Sequence, residues 1–152
     1  MLFLKRFFNF YINSSIHVAL AICSLLILTC QFFQITIEKY LLYFVFFASI
    51  SGYNFVKYFG VAKLYHKDIT VGLKYIRLLS VLSFVIMCCL LFFLKLKTIG
   101  LLLILAGVTF LYAFPFLPNN IQGKNLRAIS GVKIYIIALV WSLVTVIVPL
   151  IN

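Results

Sequence analysis

The sequence predicts an all-α membrane protein with five transmembrane helices, and three observations carry that expectation. Hydrophobic residues make up 66% of the 152-residue chain and charged ones 10%, well short of the roughly 25% charged residues of a soluble domain. The apolar residues come in five runs, each near the length of about 20 residues with which a helix crosses a bilayer core about 30 Å thick. Thirteen Lys and Arg face two acids, Glu38 and Asp68, and these charges lie mostly between the runs, where a chain threaded through lipid tolerates them. Runs of this length without alternation favour helices over barrel strands, because backbone groups in lipid must be satisfied within the element.

The first expected span, 16–35, is entered through Asn13, Ser14 and Ser15, residue types that cap helix N-termini, and is left at Glu38 and Lys39. Residues 1–12 carry Lys5 and Arg6 among aromatics, and no small-residue cleavage site follows the first span, so that span is expected to be retained rather than removed as a signal peptide. The second span is 40–59 and the third 78–94. Between them Lys63, Lys67, Lys74 and Arg77 recur at helical spacing among Leu64, Ile69, Val71, Leu73 and Ile76, which predicts a short amphipathic helix over 61–77, bent at Gly72 and touching lipid phosphates. The fourth span, 98–116, should end at Pro115. A loop follows, marked by Pro118, Asn119, Asn120, Gly123 and Gly131, before the fifth span, 134–151. Without an internal repeat, residues 1–152 read as one transmembrane domain.

Five spans put the N-terminus and the second and fourth connections on one side, with ten of the thirteen cations; Lys39, Lys95 and Lys97 fall on the other. The positive-inside rule makes the first side cytoplasmic and places Asn152 across the cell (inner) membrane. A net charge of +11 then reads as orientation and contact with the lipid bilayer, not as nucleic-acid binding, because the cations sit at the ends of apolar spans.

Asn54, Lys57 and Tyr58 share a helix face near the cytoplasmic end of the second span, where an amide and a cation could hold a phosphate headgroup. The competing reading has Lys57 snorkelling, Tyr53 and Tyr58 in an aromatic belt, and Asn54 bonded to a neighbouring helix. Lys124, Arg127 and Lys133 beside the amide-rich loop also suit an anionic phosphate. His17 and His66 are expected at the interface. Cys23, Cys30, Cys88 and Cys89 lie in apolar spans without CxxC spacing and read as small packing residues. Ala48 with Gly52, and Ala19 with Cys23, are spaced for close helix contact, and Trp141 is placed to face the bundle. Glu38 and Asp68 fall on opposite sides of the membrane, so no metal site is expected. No ionisable residue sits near the middle of a span, which argues against conduction.

Tyr53-Asn54 late in the second helix, the basic connection, and Tyr112-Ala113-Phe114-Pro115 leading through Lys124 and Arg127 to Gly131 and a fifth helix resemble the first five helices of the UbiA superfamily of membrane prenyltransferases. The resemblance implies a UbiA-like first bundle plus one helix, with a prenyl diphosphate met by Asn54, Lys57, Lys124 and Arg127. The family's Asp-rich motif begins with Asn, but Phe55, Tyr58 and Ala62 stand here where it carries Asp. The Mg²⁺ that family members use therefore lacks its ligands, and no cofactor is evident. The expectation is a truncated or divergent relative that binds an isoprenoid diphosphate or lipid headgroup without catalysis of its own, with a second membrane polypeptide supplying the missing helices. The alternative is a non-enzymatic assembly or transport component whose cations only set topology.

Overall fold

The computed structural model describes residues 2–62, 71–113 and 131–152, and every regular element among them is helical. The order is α1 (Leu2–Asn13), α2 (Ile16–Phe32), α3 (Lys39–Ala62), α4 (Val71–Leu91), α5 (Leu96–Ala113) and α6. The last of these runs as Val132–Ser142, then a π-helical stretch Leu143–Ile147, then a closing turn Val148–Ile151. Helix α3 packs between α2 and α4, α6 lies against α2, and α5 contacts both α3 and α6.

The core is built from Ile22, Leu26 and Cys30 of α2, Leu41, Phe44 and Val45 of α3, Leu105 of α5 and Val148 of α6. The opposite faces are also apolar. Leu28 on α2, Leu78 and Leu82 on α4, Leu103 and Ile104 on α5, and Leu139 on α6 are each more than half exposed. Large apolar side chains exposed on so many helices suit hydrocarbon better than water.

Two helical segments, Leu73–Leu91 and Ile134–Ile151, are long and apolar enough to cross a membrane, and a third counts if Phe7–Asn13 and Ile16–Phe32 form one span broken by a 60° bend. Each of the five expected runs is helical over most of its described residues, the end of the fourth with Pro115 lying outside them, but α5 offers a shorter apolar stretch, Leu96–Tyr112. In α3, Ser49, Ser51, Gly52 and Asn54 dilute the hydropathy of an otherwise sufficient length.

Local backbone explains where the boundaries differ from expectation. Helix α2 stops at Phe32, before 35, because Gln34 turns left-handed (φ 54) and the Ile35 N–H closes back on the Cys30 carbonyl at 2.9 Å, a turn that ends a helix. Helix α4 starts at Val71 and runs unbroken to Leu91. Gly72, Lys74 and Arg77 therefore belong to its first turns and not to a separate, bent surface helix; 63–70, with Lys63 and Lys67, lie outside the described residues. The π-helical stretch in α6 leads into Pro149, whose ring displaces the carbonyl four residues back and whose missing N–H leaves that ladder bond unmade. Helix α1 is an element the sequence reading did not anticipate.

Most hydroxyls inside the helices are satisfied locally, Ser83 on α4 being buried without a partner among the described residues. Ser24, Thr29, Ser49, Thr109 and Ser142 each donate to the carbonyl four residues earlier, at 2.6–3.0 Å, so none needs water. Ala19 and Cys23 are buried as the small-residue spacing implied, but Gly52 has open space where a side chain would stand and mediates no close contact. Cys30 is buried as well, whereas Cys88 is half-buried and Cys89 exposed, so the packing role fits the first two cysteines best. Trp141 turns toward the bundle and meets the Tyr53 ring edge-on, centroids 5.8 Å apart.

Candidate functional site

Two polar clusters sit at opposite ends of the bundle, and each is assembled from residues far apart in the chain. The first is centred on Asn54, which is 2% exposed. Its amide nitrogen donates to the Ser14 carbonyl at 3.1 Å and to Ser80 Oγ at 2.8 Å, and its amide oxygen accepts from Ser15 Oγ at 2.9 Å. Ser80 Oγ in turn donates to the Ile76 carbonyl at 2.8 Å. Lys57, three residues on, donates to the Asn13 carbonyl at 3.3 Å.

These bonds explain the corner between α1 and α2. Ser14 and Ser15 break the helix, Ser15 with a left-handed backbone (φ 62), and Ser15 makes no side-chain capping bond. Its hydroxyl goes to α3 instead of to the start of α2. Asn54 thus ties the corner to α3 and α4. Both its N–H donors and its carbonyl are committed to helix contacts, which is the neighbour-bonding role weighed above against phosphate binding, and its amide offers no free donor to an anion.

Of the other residues singled out, Lys57 is half-buried at this end, and Lys74 and Arg77 are exposed. Lys124 and Arg127, with His66 and Asp68, lie outside the described residues, so the structure brings together only the α3 part of the expected phosphate site. Around Asn54 the donor set is one amide oxygen, serine hydroxyls and a lysine. That set does not fit the hard, anionic ligation a Mg²⁺ diphosphate requires.

The second cluster was visible in the sequence only as scattered charges. Glu38 Oε1 lies 3.3 Å from Lys95 Nζ, and its Oε2 accepts from the Asn152 amide at 2.7 Å. Thr98 Oγ1 donates to Asn152 Oδ1 at 2.9 Å, and Lys95 also donates to the Asn152 carbonyl. Tyr40 and Phe93 stack beside it, centroids 4.9 Å apart. Beneath the cluster a cleft of about 280 Å³ is floored by Leu26, Cys30, Leu41 and Pro149. The signal for this cluster was available: Glu38 and Lys95 are opposite charges on two connections that the charge count already assigned to one side. Because Lys95 and Asn152 neutralise and bond the carboxylate, the cluster acts as a clasp joining the α2–α3 connection, the α4–α5 connection and the end of α6. No family model, curated protein or solved structure matches the chain.

Proposed function

We propose that the chain is a five-pass integral membrane protein with its N-terminus on the cytoplasmic side, and that it binds phosphate-bearing lipid at its basic end rather than catalysing a reaction. The observation that carries this reading is the meeting of five helix ends at the Glu38 clasp: the C-terminal ends of α2, α4 and α6 and the N-terminal ends of α3 and α5. Helices that share one end must run alternately up and down, the order that five successive crossings require. Along α3, Lys39 and Lys57 stand about 27 Å apart at about 1.5 Å per residue, close to the thickness of a hydrocarbon core of about 30 Å. Lys57, Lys74 and Arg77 then gather in one headgroup layer, where each cation near an anionic surface contributes about 1 kcal/mol.

The test uses a variant lacking Cys23, Cys30, Cys88 and Cys89. A cysteine placed by Lys74→Cys should react with a membrane-impermeant maleimide only from the cytoplasmic side, and one placed by Lys97→Cys only from the opposite side. Reaction of both from the same side would refute the alternating arrangement.

A prenyl diphosphate is one phosphate ligand this end would accept, with Lys57, Lys124 and Arg127 as the cations that meet it. Changing Lys124 and Arg127 together to Ala should weaken its binding to purified protein by at least about tenfold, since a hydrogen bond to a charged group contributes about 1.5 kcal/mol or more. Unchanged affinity would leave the non-enzymatic component, with cations serving orientation alone, as the better account.

A further inference from the structure

We infer that α1 is an in-plane anchor, a helix lying in the headgroup layer of the cytoplasmic leaflet with its apolar face sunk among the acyl chains of anionic phospholipid. This rests on the five-pass reading and adds a surface and a partner to it.

Three observations carry it. Helix α1 has two stripes at four-residue spacing: Leu4, Phe8 and Ile12 along one line, joined by Phe7, and Lys5, Asn9 and Asn13 along the adjacent one. Leu4, Phe7, Phe8 and Ile12 are 70%, 61%, 59% and 44% exposed, although α1 packs against both α2 and α4. The bundle therefore does not cover this face. The helices it packs against, α2 and α4, also carry exposed apolar side chains, among them Leu20, Leu78 and Leu82.

The second observation is the angle. Transmembrane helices tilt by about 20° on average, so the 60° bend between Phe7–Asn13 and Ile16–Phe32 leaves α1 inclined to the membrane plane by roughly 10–50°, and by roughly 30° where α2 stands upright. At about 1.5 Å per residue α1 is about 18 Å long. It is too short to cross alone, and at an inclination of about 30° its rise is about 9 Å, within the about 5–10 Å by which interfacial helices sink.

The third is charge. Exposed Lys5 lies on the polar stripe, and Lys57, Lys74 and Arg77 stand at the same end of the bundle. Glu38, the sole acid among the described residues, is at the other end. An anionic lipid surface complements that distribution, and a protein partner would need an acidic groove of matching curvature.

Depth-dependent fluorescence quenching tests the inference on the full chain in vesicles of phosphatidylcholine and phosphatidylglycerol. The native tryptophan is removed by Trp141→Phe and a single reporter is placed by Phe8→Trp, with Leu4→Trp as a second reporter on the same face. A third variant, Leu139→Trp, marks the middle of α6. Lipids carrying bromine near the headgroup should quench the α1 reporters at least about twofold more than lipids brominated near the chain end, and the α6 reporter should show the reverse order. Deep quenching on α1 would overturn the inference in favour of one broken span, and absence of quenching on α1 would overturn it in favour of a helix in water. In either case a deeply quenched reporter on α6 would leave the five-pass reading standing. Failure of lipid to quench the α6 reporter would instead remove that reading, and the anchor with it.

Discussion

Asn54→Leu is expected to destabilise the bundle by about 2 kcal/mol. Interhelical hydrogen bonds in membranes average about 0.6 kcal/mol each and reach about 1.7, and Asn54 makes three of them to two other segments. Leucine keeps the number and branching of side-chain heavy atoms but is bulkier and carries no polar atom, so the loss would come from the Ser14 carbonyl and Ser15 hydroxyl left without partners in an apolar setting and from the extra bulk at a buried position. Ser80→Ala should cost less, because it removes one of those bonds and leaves the Ser14 and Ser15 bonds in place. Denaturant unfolding in detergent, followed by helical circular dichroism, would read the difference. An Asn54→Leu variant with an unchanged midpoint would mean that the corner is held by something else.

A comparable loss, about 2 kcal/mol, is expected for Ser15→Val through a different mechanism. Ser15 sits at φ 62, a region that costs an L-residue roughly 1–2 kcal/mol and is least accessible to a β-branched side chain. Valine raises that strain above what serine already bears and removes the hydroxyl that reaches Asn54. Ser15→Gly separates the two contributions: it relieves the strain by about 1 kcal/mol while losing the same bond, so its net effect should be near zero. In a double-mutant cycle, Ser15→Val and Asn54→Leu should fall short of additivity by about 0.5–1 kcal/mol, because they share one hydrogen bond. Strict additivity would show that the bond contributes nothing.

The helical class and the position of each apolar run were legible because they depend on composition over some twenty residues, a signal that no local detail can erase. What stayed hidden depended on backbone torsions or on distant partners. Gln34 ends α2 through a left-handed turn that its side chain does not announce. Lys5, Arg6 and Asn9 lower the hydropathy of the first twelve residues and so hid α1 from a reading by apolar runs, although Leu4, Phe8 and Ile12 and Lys5, Asn9 and Asn13 each recur at four-residue spacing. Asn54 was recognised as unusual, and an amide in an apolar helix needs a partner. Whether that partner was a phosphate or another helix could not be read from α3 alone, since the answer lay at Ser14, Ser15 and Ser80. Pro149 was the overlooked cue for the change of pitch in α6. Glu38 was counted by sign, and its pairing with Lys95 and Asn152 needed the three connections in space.

The corner at Ser15 has a consequence for biogenesis. Its hydrogen bonds reach 39 and 40 positions ahead to Asn54, and the Asn13 carbonyl reaches 44 positions to Lys57. At a synthesis rate of about 5–20 residues per second, α1 precedes those partners by about 2–8 s. Serine prefers right-handed backbone, so during that interval the elbow has only local contacts, such as Ser14 Oγ to the Tyr11 carbonyl, and lacks its three bonds to α3. The attitude of the N-terminal helix is therefore fixed late, when the third helix arrives beside it and supplies the long-range bonds.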